Sequence, residues 1–223
     1  MKILLDNTKD IWFTSDTHYS HKNITYGVSE WDDLSSTRKF DTLDDMNNAL
    51  VTNINKYVKV DDVLFHLGDF SFSGVSNIYE FRKRINCKTI YLIYGNHDKH
   101  IQKNSIVYDG NDSKIPVRAK ELFAGLYDYL YLTVNFVEDI SKRFFLKPNR
   151  TQTFALSHYP FLSWEGMEDG SIHLHGHIHS NQETKWGEGK RLDVGVDGND
   201  LKPYNLLTDI ILKMDNIPLG NFI

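Results

Sequence analysis

The chain has a single cysteine, Cys87, in 223 residues. No disulfide framework can be built from it, and a reducing compartment is the simpler setting. No stretch approaches the ~20 consecutive apolar residues that cross a bilayer. The opening segment MKILLDNTKD carries an apolar run too short for the core of a signal peptide. Internal repeats, low-complexity tracts and linker-like stretches are also missing. A strong positive charge is absent: the formal net charge is -5. That argues against a general nucleic-acid coat and leaves a local basic groove open. The composition, 40% hydrophobic and 25% charged, is that of a soluble globular protein. A chain of this length buries roughly 70% of its unfolded surface and needs no staples. The expectation is one domain over residues 1–223, cytoplasmic, without membrane association or an obligate protein partner, and with a lid or insertion at about 99–125.

What the chain does have is a recurring shape: a short apolar run, a small or turn residue, then a side chain able to hold a metal. Ile11–Thr14 leads into Asp16 and His18, Val63–Leu67 into Asp69, and Thr89–Tyr94 into Asn96, His97 and Asp98. Phe154–Leu156 leads into His158, and Ile172–His175 into His177 and His179. Runs of four to six residues rich in Ile, Val, Phe and Tyr read as strands, and their near-continuous apolarity as strands buried on both faces. Between them, Leu43, Met46, Leu50, Val51, Ile54 and Tyr57 recur in steps of three and four. That spacing predicts a helix capped by Asp41 or Thr42. Ile78, Phe81 and Ile85 repeat the pattern more briefly. Alternating strands and helices predict an α/β protein with a largely parallel region, whose ligands bind beyond the carboxyl ends of the strands. The second half reads as successive strands at Leu126–Val137, Arg143–Lys147, Thr151–Leu156, Arg191–Val196 and Leu207–Met214, with a turn at 147–150 and an antiparallel section.

Together the strand-end residues Asp16, His18, Asp69, Asn96, His158, His177 and His179 offer carboxylate and amide oxygens and imidazole nitrogens, with no thiolate. That set suits Mn, Fe, Zn or Ni and disfavours a soft-metal or iron–sulfur site. Seven side chains exceed the needs of one tetrahedral ion. They suffice for two ions about 3.5–4 Å apart, an arrangement that clamps the attacking and leaving oxygens of a displacement at phosphorus.

The blocks DTH, GDF, GNHD, SHYP and GHIH, in this order across residues 16–179, resemble the calcineurin-like metallophosphoesterase superfamily. TSDTHYSHKNI, HLGDF and the GVD near the C-terminus look like its small bacterial and phage branch; the GDxVDRG and RGNHE blocks of the serine/threonine phosphatases are missing. The resemblance implies a four-layer α/β/β/α sandwich of two mixed sheets flanked by helices. It implies that Asp16, His18 and His179 hold one divalent ion, that Asn96, His158 and His177 hold a second, and that Asp69 bridges. His97 would face the leaving oxygen as the general acid, oriented by Asp98. A hydroxide held between the ions would attack phosphorus, with manganese the first choice of metal. The implied substrate is a small phosphate mono- or diester, a nucleotide by preference. The rivals are a DNA or RNA nuclease of the same superfamily and a non-catalytic scaffold.

The remaining histidines and cations are less specific. His175 is expected to donate a hydrogen bond behind the ligands, the alternative being a direct role toward substrate. His21, Lys22 and Arg38 are candidates to contact phosphate, the alternative for Arg38 being to cap the nearby helix region or form a salt bridge. His66 and His173 read as core histidines with satisfied nitrogens. Lys142, Arg143, Lys147 and Arg150 read as a solvated hairpin, and Tyr127, Tyr129 and Tyr131 as one strand face.

Overall fold

The computed structural model describes residues 1–109, 112–137, 151–180 and 187–220. Its strands are β1 (Lys2–Asp6), β2 (Ile11–Thr14), β3 (Val63–His66), β4 (Thr89–Ile93), β5 (Ile106–Asp109), β6 (Asp112–Arg118), β7 (Gly125–Tyr127), β8 (Tyr129–Asn135), β9 (Thr151–Ser157), β10 (Ile172–His175), β11 (Arg191–Asp193) and β12 (Tyr204–Asn205). Its helices are α1 (Leu43–Tyr57), α2 (Val75–Arg84), α3 (Lys99–Gln102) and α4 (Leu212–Asp215). No helix among the described residues is long and apolar enough to cross a membrane.

Two five-stranded mixed sheets face each other, flanked by helices. One has the order β12-β2-β3-β4-β7, the other β1-β8-β9-β10-β11. Strand alternation decides what fills the layers. Ile11, Phe13, Phe65 and Ile93 of the first sheet share a core with Leu130, Leu132, Phe154, Leu156 and Leu174 of the second. The intervening residues Trp12, Leu64, Ile90 and Leu92 turn outward, onto Val51 and Ile54 of α1 and Ile78 and Phe81 of α2. On the far side of the second sheet, Trp164 and Met167 cover Ala155. β2, β3 and β4 run parallel, with Thr14 opposite His66 and His66 opposite Leu92. β9 and β10 run parallel beside them. Each of these strands therefore delivers its C-terminal loop to the same edge of the sandwich.

Helix α1 begins where the spacing places it. The Thr42 side chain accepts a hydrogen bond from the Asp45 amide, and Asp44 and Asp45 face the positive end of the helix. Two expected strands differ. Leu126–Val137 is not one strand: β7 pairs with β4 in the first sheet, and after Asp128 the chain crosses to the second, where β8 pairs with β1 and β9. Tyr127 accordingly lies near Tyr91, while Tyr129 and Tyr131 meet edge to face in the other sheet. Leu207–Met214 is helical rather than extended. Asn205 caps the amides of Leu207 and Thr208, and Leu206, Ile210, Ile211 and Met214 bury one helical face in the core. The stretch 99–125 holds α3, the β5–β6 hairpin and a short 3-10 turn at Ala119–Leu122. The strand expected at Arg143–Lys147, the 147–150 turn and the basic hairpin lie outside the described residues.

Candidate metal centre

The loops that leave β2, β3 and β10 use a backbone conformation that L-residues seldom adopt. Asp16, His18, Asp69, His177 and His179 have φ of 54°, 45°, 56°, 74° and 47°. Each such residue costs on the order of 1–3 kcal/mol, so the surrounding contacts must over-determine it. They do: Asp16 and His18 donate their amides to the carbonyls of Gly68 and Asp69, at 3.0 Å each. Two glycines are fixed by close approach. A Cβ on Gly95 would lie 2.2 Å from Asp69 Oδ1, and one on Gly176 would lie 2.4 Å from Asp16 Oδ2. The GNHD and GHIH glycines are thus the space into which the two carboxylates fit.

The side chains so placed form one cluster. Asp69 Oδ2 lies 3.4 Å from His18 Nε2 and 3.5 Å from His158 Nε2, between two groups of donors. In the first group His18 Nε2 is 3.1 Å from His179 Nε2, and His179 Nε2 is 3.8 Å from Asp16 Oδ1. In the second, His158 Nε2 is 3.0 Å from Asn96 Oδ1. The His177 ring lies 5.0 Å from that of His158, and the His177 amide donates to Asp16 Oδ2 at 2.9 Å. Ligating atoms of Asp16, His18 and His179 lie within 4.8 Å of one another, as do those of Asp16, Asp69 and His158. Asp16 thus reaches both groups, where the sequence reading gave it to one.

Proton accounting tests whether cations fit. His158 Nδ1 is 2.8 Å from the Leu67 carbonyl, so it carries the hydrogen. Nε2 is then the ring atom turned toward the Asn96 and Asp69 oxygens. His179 Nδ1 is 2.8 Å from Asp197 Oδ2, so Nε2 is the ring atom turned toward His18 and Asp16; burial opposes the charged ring, but the Asp197 hydrogen bond and the Asp16 charge outweigh it and raise its pKa. Asp16 Oδ1 and His18 Nδ1 are buried and lack a hydrogen-bond partner. Nitrogen and oxygen donors converging from several loops are what divalent metal would satisfy, and the N/O donor set suits borderline metals. Without a cation the electrostatics strain in the expected sense. Burial pushes the Asp16 carboxyl up to about 7, with Asp193 and Asp69 adding to it and His179 opposing. Burial, then the charges of His179 and Arg38, hold His18 well below the ordinary imidazole range.

A clamp not foreseen in the sequence holds His179. Arg38 Nε is 2.7 Å from Asp197 Oδ1, one Arg38 nitrogen donates to Asp197 Oδ2 at 3.0 Å, and the guanidinium also donates to the Asp16 and Thr17 carbonyls at 2.6 and 2.7 Å. Burial alone would push the Asp197 carboxyl up; the Arg38 charge and the His179 and Arg38 hydrogen bonds override it and hold it well below the carboxylate range. The signal was present in GVDGND, which carries Asp197. Arg38 is therefore no phosphate contact, being 6% exposed with its donors spent.

Three further expectations need correction or refinement. His175 is buried beneath the site, with Nδ1 3.1 Å from the Gly176 carbonyl, so it cannot touch a substrate. Asp98 does not reach for the His97 ring: its oxygens accept from the amides of Asp69, Phe70 and Gly95, at 2.8, 3.0 and 2.8 Å. It locks the two loops together, and burial pushes it up to about 7 against the pull of those amides. His21 stacks on Phe72 at 3.8 Å and lies 5.4 Å from the His18 ring, at the margin of the cluster. His97 is exposed, its ring 5.4 Å from that of His18, and its amide donates to Asp69 Oδ1 at 2.8 Å. His66 meets Thr17 Oγ1, and His173 bonds the Ala155 carbonyl and the Phe161 amide; both are core histidines, but only His173 has both nitrogens satisfied, since His66 Nδ1 is buried without a partner among the described residues.

Two stacked mixed sheets whose strand ends gather carboxylates and imidazoles around Asp69 have a metallophosphoesterase architecture. The chain belongs to the calcineurin-like phosphoesterase family, whose model matches residues 9–204. It is similar to the uncharacterized protein MJ1445 of Methanocaldococcus jannaschii, 25% identical over 213 residues that cover 92% of this chain and 91% of the relative. The crystal structure of a protein of unknown function, AQ665 from Aquifex aeolicus, shares the fold. Its TM-score is 0.57 at 23% identity, covering 89% of this chain and 96% of that one.

Proposed function

We propose that this chain hydrolyses phosphate esters of small molecules, nucleotides first among them, with two divalent ions, manganese ahead of iron, zinc and nickel. The family makes it a phosphoesterase of metal-dependent type; the binuclear centre and the substrate class are the reading added here. What supports two ions is the position of Asp69 Oδ2, 3.4 and 3.5 Å from nitrogens that belong to separate donor groups. Asp16, His18 and His179 would hold one ion, Asn96, His158 and His177 the other, with Asp69 between them. When bound, the ions supply Lewis acidity toward the phosphoryl oxygens and a water of lowered pKa.

The chain's own groups do the rest. Asp69 is kept in register by the His97 amide on its other oxygen. The Leu67 carbonyl and Asp197 hold Nδ1 of His158 and His179 and turn their Nε2 atoms toward the cluster. His97 stands beside the cluster on an exposed loop, where its ring can give a proton to the leaving oxygen.

The test strips the protein of metal, reloads it with Mn, Ni, Zn or Mg, and assays a panel of phosphate mono- and diesters with metal content measured in parallel. Two ions per chain and activity restored by Mn more readily than by Mg are expected, because Mg prefers oxygen and water ligands. Full activity with one ion, or with none, overturns the reading.

A further inference from the structure

A cavity of about 270 Å³ lies between the start of α2 and the start of α3. Its lining includes Phe72, Ile78, Asn96, His97, Lys99 and Ile101. It therefore shares Asn96 and His97 with the margin of the metal cluster. Ile78 and Ile101 are buried, which gives the lining a firm apolar part, and Phe72 is held by its stack on His21. Gly74, also in the lining, has φ of 123°, and a Cβ there would meet nothing within 4 Å. A side chain at this position would extend into open space. Lys99 is exposed and has no acidic partner among the described residues. A free cation at this spot matters in a chain of net charge -5, which otherwise repels phosphorylated molecules.

Resting on the phosphoesterase reading, we propose that this cavity receives the alcohol part of the ester, a sugar- or nucleoside-sized group that carries a second phosphate for Lys99. The chemistry fixes the location. Water adds to phosphorus, the phosphorus–oxygen bond to the alcohol breaks with its electron pair left on that oxygen, and the His97 proton joins it. The products are the free alcohol and phosphate. The group that departs beside His97 must lie where His97 opens, and that is the cavity. Its volume is below the roughly 300–1,000 Å³ of pockets for drug-sized ligands, so it holds one sugar or nucleoside rather than several. The substrate class that follows is a bisphosphorylated sugar or nucleoside.

The test compares a nucleoside 3′-phosphate with the corresponding 3′,5′-bisphosphate on the manganese-loaded protein. The bisphosphate is expected to have a kcat/KM about tenfold higher, the scale of one charge-assisted contact. Lys99→Glu should bring the ratio to one or below. Lys9→Glu, the same charge change at the far end of β2, should leave the ratio as it is. Equal values in the wild type, or a ratio that survives Lys99→Glu, overturn the proposal. Should neither ester be hydrolysed, the phosphoesterase reading fails by itself. The same ratio, measured as binding of the two nucleotides by calorimetry in wild type and Lys99→Glu, then decides whether the cavity takes a bisphosphate.

Discussion

Asp69 Oδ2 lies 3.4 and 3.5 Å from nitrogens of the two donor groups, which on the proposed reading makes it the carboxylate between the ions. Asp69→Asn keeps the shape and removes the charge. The expected outcome is loss of tight binding of both ions and a fall in turnover of on the order of 100-fold or more, read by elemental analysis beside the assay. A variant that keeps both ions and normal turnover would mean that Asp69 does not bridge. Asp197→Asn acts at one remove. It weakens the acceptor that fixes His179 Nδ1, so metal affinity should drop about 10–100-fold in a manganese titration, with less effect on the second ion than on the first. For His97→Ala the metal content should stay whole while activity on nucleoside phosphates falls about 100-fold or more. Nitrophenyl esters, whose leaving group needs no proton, should lose far less. Equal losses would assign His97 to phosphate binding.

At the scale of elements, α1 offers a clean measurement. Thr42→Ala removes the side-chain acceptor for the Asp45 amide and should cost about 1 kcal/mol in urea unfolding, with metal content unchanged. A cost near zero would mean that packing alone sets the start of this helix. The start of α1 was legible because a cap is local chemistry, and so were β2 and β10, where apolar runs stop at a residue that must leave the sheet. Two other elements were not legible, for physical reasons. Apolarity continues through Asp128, and nothing local marks where the chain leaves one sheet for the other. Leu206–Ile211 is apolar enough for a buried strand, and only the Asn205 cap and the core it meets make it helical. That the strand ends carry carboxylates, an amide and imidazoles able to meet in one cluster was legible in the sequence. The Arg38–Asp197 clamp was not, because it joins residues that only the completed sandwich brings together.

At the scale of the molecule, the buried histidines govern acid stability. Burial pushes His66 and His173 down to about 3. An imidazole lowered in the fold contributes stability that is present above its unfolded value, near 6.5, and is lost as pH falls toward the folded one. The urea midpoint of the metal-free protein should therefore lose this contribution between about pH 6.5 and pH 3. Asp98, raised to about 7, has the opposite sign: its contribution is present below its unfolded pKa and fades as pH rises through about 7. It does so equally in a variant, so paired slopes isolate one histidine. His173→Phe should be less stable at pH 7 by about 1–3 kcal/mol, since the Ala155 carbonyl and Phe161 amide lose their partner. Its midpoint should also fall less steeply on acidification. An unchanged slope would mean that His173 is not neutral in the fold. The placement of the ligands has a mechanical side as well. Asp16, Asp69 and Asn96 hang from one sheet, and His158, His177 and His179 from the other. Ions held by both, as proposed, would act as rivets through the seam of the sandwich. Parting the sheets then requires ejecting them, so a chelator should behave as a mild denaturant. Amide exchange in β3 and β10, strands that hold no ligand themselves, should slow when manganese is added.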